Sequence, residues 1–499
     1  MTSTIVESIY GKVRGQQQGN AAVWKGIPYA KPPIGDLRFR APQPPEPWTE
    51  VREATLFGPA AIQVSNGIME FLGNQTDNTS EDCLYLNVWS PAADNRRRPV
   101  MVWIHGGAFT AGAGSGQLYD GHSFTTEGDV VIVTFNYRLG ALGFLHLGGI
   151  GGDDFSGSCN CGILDQMAAL QWVQDNIEKF GGDPERVTVF GESAGAMSIG
   201  VLMAVPKAKG LFHQAIMQSG AAANVLSSSI AEKVSSRLLA ALEIGHGEVD
   251  KIRQIPAQQL VDTAALLPAM SLVPVVEGHL LPVHPEQAIA EGSAKEIPVM
   301  IGTNKDEYRL FSFFDSRWKN GDAEEISSIF EHAFGLNWLR ISQYLLNGEE
   351  LNQDIYDKLM TMSLFTFPAL KLSELQVKQE APVWMYRFDW ETPAFSGELK
   401  ACHSLELPFV WNTIAKAGTE RLTGAAEERK KLAEEMHHSW IRFARSGNPN
   451  APKLPEWRAY NLEHRPVMIF NRENVLVHDP NSGERKKWEN LMVHLEKSR

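Results

Sequence analysis

Residues 186–203 read RVTVFGESAGAMSIGVLM, with Gly191-Glu192-Ser193-Ala194-Gly195 at their centre. The apolar, β-branched run 186–190 predicts a buried strand, and 196–203 predicts a helix. A serine on so sharp a strand-to-helix turn has its hydroxyl pushed out above the sheet, where a substrate carbonyl can reach it. Glycines at both ends of the pentapeptide permit the turn and the close approach of neighbouring backbone. The pentapeptide alone is a weak signal, and its flanks give it meaning.

Strand and helix alternate around it. Apolar runs at 88–89, 100–104 and 130–135 precede it, and a helix with Leu170, Val173 and Ile177 on one stripe spans 165–180. Residues 214–218, 299–302 and 383–388 follow as further strands. Runs apolar throughout suit a sheet covered on both faces. The β-α-β alternation predicts a mostly parallel sheet flanked by helices. Residues 323–379 read as largely helical with no linker-like change of composition at their ends. We therefore expect one domain over 1–499 with a helical insertion over that stretch.

A serine hydroxyl needs a base within reach, and the base needs an orienting acid. Among fourteen histidines, His403 leads over His332, His464 and His478, because it follows the 383–388 strand and a loop. His437 and His438 fall inside an amphipathic helix at 425–443. The acid should follow the 299–302 strand, where Asp306 and Glu307 are adjacent, and residue type does not choose between them. The tetrahedral oxyanion needs waiting donors. The N–H of Ala194 and those of Gly106 and Gly107, in His105-Gly106-Gly107-Ala108-Phe109, are the candidates. Gly112-Ala113-Gly114-Ser115-Gly116 lacks the lysine and spacing of a phosphate cradle. Phe311, Phe313 and Phe314 read equally well as pocket lining or as core.

The chain has 499 residues, 43% of them hydrophobic, and a net charge of −13. That acidic balance argues against nucleic acid or an anionic membrane as partner. No run of 18 apolar residues occurs, so no membrane span is expected. No leader is visible in residues 1–15, and four cysteines make no disulfide framework. The cytoplasm is the expected compartment and a monomer the expected state. Cys159 and Cys161 have no second Cys/His pair nearby, so no metal is expected. Without a leader, the sequons at Asn74 and Asn78 read as chance matches in a polar loop.

Two longer motifs carry a family resemblance. Phe180-Gly181-Gly182-Asp183-Pro184, leading through Val187, Val189 and Phe190 to Gly195, resembles the serine signature of the type B carboxylesterases. Glu81-Asp82-Cys83-Leu84-Tyr85-Leu86-Asn87-Val88 resembles that family's second signature. Further likeness runs from Gly26-Ile27-Pro28-Tyr29-Ala30 to Gly447-Asn448-Pro449-Asn450 and Trp457. The resemblance implies an α/β-hydrolase fold and hydrolysis of small-molecule carboxylic esters of short to medium chain, without a cofactor. It implies Ser193 as nucleophile, Glu307 as acid within Lys305-Asp306-Glu307, and His403 as base at the head of a His-x-x-Glu-Leu-Pro-Phe segment. It assigns the oxyanion donors to Gly106, Gly107 and Ala194. Ser219 matches a serine that supports the acid–histidine pair, and Glu192 is expected to tune the histidine. Residues 60–80 hold one aromatic, Phe71, where cholinesterases carry a tryptophan that binds quaternary ammonium, so choline esters are not expected substrates. A non-catalytic scaffold on the same fold is disfavoured because all three catalytic residue types are present. A lipase, amidase or peptidase preference stays open.

Overall fold

The computed structural model describes residues 4–65, 67–73, 78–346 and 348–496. The sequon at 74–76 lies outside them. Eleven of the described strands form one sheet. They are β1 (Gln16–Gln18), β2 (Ala21–Pro28), β3 (Tyr85–Ser90), β4 (Arg98–Ile104), β5 (Val131–Phe135), β6 (Gly182–Glu192), β7 (Gln214–Gln218), β8 (Val299–Asn304), β9 (Val383–Phe388), β10 (Pro466–Phe470) and β11 (Val475–His478). Their spatial order is β11-β10-β9-β8-β7-β6-β4-β5-β3-β2-β1. Pairing is parallel from β5 through β4 and β6 to β10. It is antiparallel among β1, β2, β3 and β5 and between β10 and β11. The edges are thus antiparallel and the middle parallel.

The two faces of the sheet feed two cores. Along β4, Val100, Val102 and Ile104 enter one cluster, while Met101 and Trp103 enter the other. Every residue of β4 and β5 is buried, as period-two alternation under helices on both sides requires. Helix α1 (Cys161–Asn176) covers one face, and α2 (Ala194–Ala204) follows β6. A long amphipathic helix, Glu428–Ser446, covers the other face through Met436, Trp440 and Phe443 and stops at Gly447, whose φ is 69°.

Several boundaries differ from the sequence reading. β6 extends beyond 186–190 at both ends. The helix expected at 165–180 begins at Cys161, and its last turn tightens to a 3₁₀ helix over Ile177–Phe180. Asp165 therefore lies inside the helix. It is fully buried there and accepts from Arg138 through Nε at 2.8 Å and Nη2 at 2.7 Å.

The described residues of 323–378 are largely helical, with helices at Ala323–Phe334, Gln353–Thr361 and Phe367–Lys378 among others. Asp322 caps the first with a reciprocal bond from Glu325. Phe330, Tyr356 and Leu359 form their own cluster with Trp488 and Leu491 of the C-terminal helix. Among the described residues no helix is long and apolar enough to cross a membrane. Cys83, Cys159, Cys161 and Cys402 are all buried and unbridged.

Candidate active site

Four parallel strands pair in one row near their carboxyl ends; β6 and β7 stop at this row, and β8 and β9 run two residues further. Glu192 of β6 pairs with Gln218 of β7, Gln218 with Gly302 of β8, and Gly302 with Tyr386 of β9. The carboxyl edge of such a sheet is where ligands bind in open α/β folds. The segments leaving these strands carry Ser193, Ser219, Glu307 and His403 in turn.

Ser193 has φ 55° and ψ −123°, a conformation that costs on the order of 1–3 kcal/mol for a residue with a side chain. Its backbone is held on both sides. The N–H donates to the Gln218 carbonyl at 2.9 Å, and its carbonyl accepts from Met197 N–H at 2.9 Å. Gly195 meets a tighter constraint, because a Cβ there would overlap the Ile104 carbonyl. The helix can start this close to β4 only with glycine at that position. Ser193 Oγ makes no hydrogen bond among the described residues.

The acid loop distinguishes its two carboxylates. Glu307 is fully buried; Oε1 accepts from the Asn304 N–H at 2.7 Å, and Oε2 lies 2.6 Å from Nδ1 of His403. Asp306 turns the other way. Its N–H donates to the Ala401 carbonyl at 3.0 Å, and its carboxylate accepts the Ala401 N–H at 3.3 Å. Burial pushes the Asp306 carboxyl above its ordinary pKa.

His403 sits between two glutamates. Glu192 Oε1 lies 3.0 Å from Nε2, opposite the Glu307 contact. Burial alone lowers an imidazole's pKa, but the two carboxylates outweigh it and hold His403 well above its ordinary value. Glu192 also accepts the Ser404 hydroxyl at 2.8 Å. A third carboxylate, Glu406, is fully buried and accepts from Gln218 Nε2 at 3.0 Å and Asn304 Nδ2 at 2.7 Å. Burial, with Glu192 and Glu307 nearby, pushes its pKa up to about 7. Asn304 Nδ2 also donates to the Cys402 carbonyl at 2.7 Å, tying the acid strand to the histidine loop. The Cys402 thiol is pushed well up by burial. It is a packed, inert group.

The glycine turn after β4 is pinned from several directions. Tyr137 stacks on His105 with ring centroids 4.4 Å apart and donates its hydroxyl to the His105 carbonyl at 2.9 Å. His105 Nδ1 lies 2.9 Å from the Gly106 carbonyl, so that nitrogen carries the proton. Burial lowers the pKa of this ring to about 4. Gln63 clamps Gly112 through both amide atoms, at 2.8 and 3.0 Å. The backbone N–H groups of Gly106, Gly107 and Ala194 donate to no acceptor among the described residues.

These groups meet at an apolar cavity of about 650 Å³ lined by Gly106, Gly107, Glu192, Ser193 and His403. Phe311 and Phe314 line it too, whereas Phe313 packs against the core. The Phe311 and Phe365 rings lie 5.2 and 5.0 Å from the imidazole. Ser219 is not among the lining residues. It is fully buried with φ 52°, and its Oγ has no partner among the described residues.

Sequence reasoning missed Ser404, Tyr308, Phe365 and the roof formed by Met360 and Leu364. The roof comes from the helical insertion, where Met362–Thr366 widens into a π-helical turn, a local feature that recurs at functional sites. Its composition carried no mark of this. Glu406 did carry a signal, in the His-x-x-Glu-Leu-Pro-Phe segment.

A sequence model of the Carboxylesterase family matches residues 2–488. The chain is 43% identical to the para-nitrobenzyl esterase of Bacillus subtilis, over 98% of this chain and 99% of that one. It is 36% identical to a human cocaine esterase over 94% and 87%. A crystal structure of a Geobacillus stearothermophilus carboxylesterase superimposes with a TM-score of 0.88 at 43% identity, covering 97% of this chain and 100% of that one. With an α/β-hydrolase sheet, a pocket at its carboxyl edge and relatives matched end to end, this chain belongs to the carboxylesterase family and is a serine carboxylic-ester hydrolase.

Proposed function

We propose that Ser193, His403 and Glu307 act as a catalytic triad that cleaves short- to medium-chain carboxylic esters through an acyl-enzyme. The observation that carries this reading is the 2.6 Å contact between His403 Nδ1 and a fully buried Glu307, beside the same cavity that exposes Ser193. Glu307 holds Nδ1 protonated, which leaves Nε2 as the base. Nε2 exchanges Glu192 for the Ser193 hydroxyl when an ester enters. Catalytic hydrogen bonds commonly align only in the substrate complex.

Oγ attacks the ester carbonyl, and His403 takes the serine proton. The oxyanion is met by the unpaired N–H groups of Gly106, Gly107 and Ala194, each worth about 3 kcal/mol in the transition state. His403 then protonates the leaving alcohol. Water activated by the same nitrogen releases the acid and restores Ser193. Glu192, on the far side of the ring from Glu307, stabilises the imidazolium formed in each step. No step calls for a metal or an organic cofactor. Four buried free thiols suit a reducing compartment, and we place the enzyme in the cytoplasm as a monomer.

The test is hydrolysis of p-nitrophenyl esters from acetate to palmitate by wild type and Ser193→Ala, with mass spectrometry after a fluorophosphonate probe. Activity peaking at short or medium chains, absent in the mutant, with the adduct on Ser193, is expected. Full activity in the mutant overturns the mechanism.

A further inference from the structure

The acid and the base of the triad sit on separate loops, 96 residues apart in the chain. Their contact therefore depends on how the two loops dock. Four charged residues outside the cavity lining bear on that docking. Arg309 stands two residues after Glu307, and Lys400 three before His403. Both reach Asp354, in the first turn of the helix Gln353–Thr361: Arg309 through Nη2, and Lys400 through Nζ at 2.8 Å. Three residues along the same helix, Asp357 Oδ2 lies 2.9 Å from Arg309 Nε. One helix of the insertion thus grips both loops. The Arg309 and Asp357 side chains are only 9% and 6% exposed. A buried guanidinium is strongly destabilising once its carboxylate partner is lost, so Arg309 fixes where the helix sits against the acid loop. Lys400 stands at φ 51°, a conformation that persists only where the surroundings over-determine it.

We propose that Asp354 and Asp357 are positioning residues: they clasp Arg309 and Lys400 so that the acid loop and the histidine loop stay in register across the Glu307–His403 contact. The proposal rests on the triad reading above. Backbone bonds also join the loops, from the Asp306 N–H to the Ala401 carbonyl at 3.0 Å and from the His403 N–H to the Glu307 carbonyl at 3.2 Å. They hold the middle of the junction, and the clasp holds its two flanks. Breaking the clasp lets Glu307 drift from Nδ1, which weakens both the orientation of the ring and the support of its cation. The charged groups that face the ring are Glu192 and Glu307, with Glu406 close to both. The clasp touches neither Ser193 nor the oxyanion donors, so its loss should show in kcat rather than in KM.

The variants are Asp354→Asn, Asp357→Asn and Lys400→Met, with Asp354→Glu as the conservative control. Burial pushes the Asp357 carboxyl up to about 6, so assays on p-nitrophenyl butyrate at pH 8 read an ionised clasp. Expected is a kcat lower by about tenfold in each of the three, as small misplacements of reacting groups cost, with KM within twofold and kcat restored in Asp354→Glu. The acid limb of the pH–rate profile should move to lower pH in all three, because a displaced Glu307 no longer supports the imidazolium. Charge alone would act differently: losing a carboxylate would move the limb down, and losing the Lys400 ammonium would move it up. Limbs that part in this way overturn the proposal. A raised KM at unchanged kcat also overturns it, and so does a lowered melting temperature with unchanged kinetics. If the buried variant Asp357→Asn does not fold, the other two decide. Glu307→Gln separates the two readings: if it matches wild type the triad fails, and if it is inactive while the clasp variants match wild type only the clasp fails.

Discussion

At the scale of single residues, the site is a contest among buried charges. Glu307 orients the ring and Asp306 does not face it, although the two are adjacent. Glu307→Gln should lower kcat by about 10⁴-fold, as loss of the orienting carboxylate does in serine hydrolases. Asp306→Asn should stay within about twofold. Steady-state kinetics on p-nitrophenyl butyrate checks both, and the reverse order would move the acid to Asp306. Glu192 makes a different prediction. Two carboxylates raise the pKa of His403, so its basic form fills only as pH rises through that raised value. The acid limb of kcat/KM should therefore sit above the pH of an ordinary imidazole. Glu192→Gln removes one favourable charge, and the limb should move to lower pH while the plateau drops by about tenfold. A pH–rate profile that keeps its limb in place would mean Glu192 does not face the imidazole in solution.

At the scale of elements, the glycine turn and the helical insertion carry most of the positioning. The turn depends on a neutral His105. Its folded pKa is about 4, against about 6.5 for a free imidazole. The unfolded chain therefore binds the extra proton between those values, and stability falls as pH drops through that window. The loss amounts to roughly 3 kcal/mol at its lower end. Melting temperatures followed from pH 7 to 4 should show this loss, and His105→Gln should flatten that part of the curve. A curve that is equally steep in the variant would assign the acid sensitivity to other groups.

The insertion reaches the acid loop through more than its roof. Thr361 accepts the Tyr308 N–H at 3.0 Å, and Arg309 Nε lies 2.9 Å from Asp357. Arg309 also pairs with Asp354. The residues just after Glu307 are thus held by the same helix that lies next to the π-helical roof.

For the whole molecule, legibility followed locality. Ser193 could be read directly because its turn is written in five consecutive residues and the flanking strand and helix. The glycine turn was legible for the same reason. The choice between Asp306 and Glu307 was not, because it depends on how Ala401, nearly a hundred residues away, pairs with Asp306. The resemblance supplied that choice in advance, and the structure turns the same carboxylate towards His403. The pocket lining was least legible. Phe311, Phe313 and Phe314 share a composition and a stretch of chain, yet two line the cavity and one packs into core. Phe365 reaches the imidazole only because the insertion folds back over the sheet edge. Glu192 was expected to act on the histidine, and the structure places it in direct contact with Nε2.

The paired row of Glu192, Gln218, Gly302 and Tyr386 across β6 to β9 separates two kinds of heritable change. In the proposed mechanism bond cleavage is anchored to that row, while much of the cavity wall comes from helices and turns elsewhere in the chain, among them Gly67–Phe71 and the helical insertion. Selection for a new substrate can thus retailor the cleft while the cutting machinery stays put. Laboratory lineages selected on unfamiliar esters should gather their changes in residues 62–72, 261–272 and 360–365 and leave the paired row untouched.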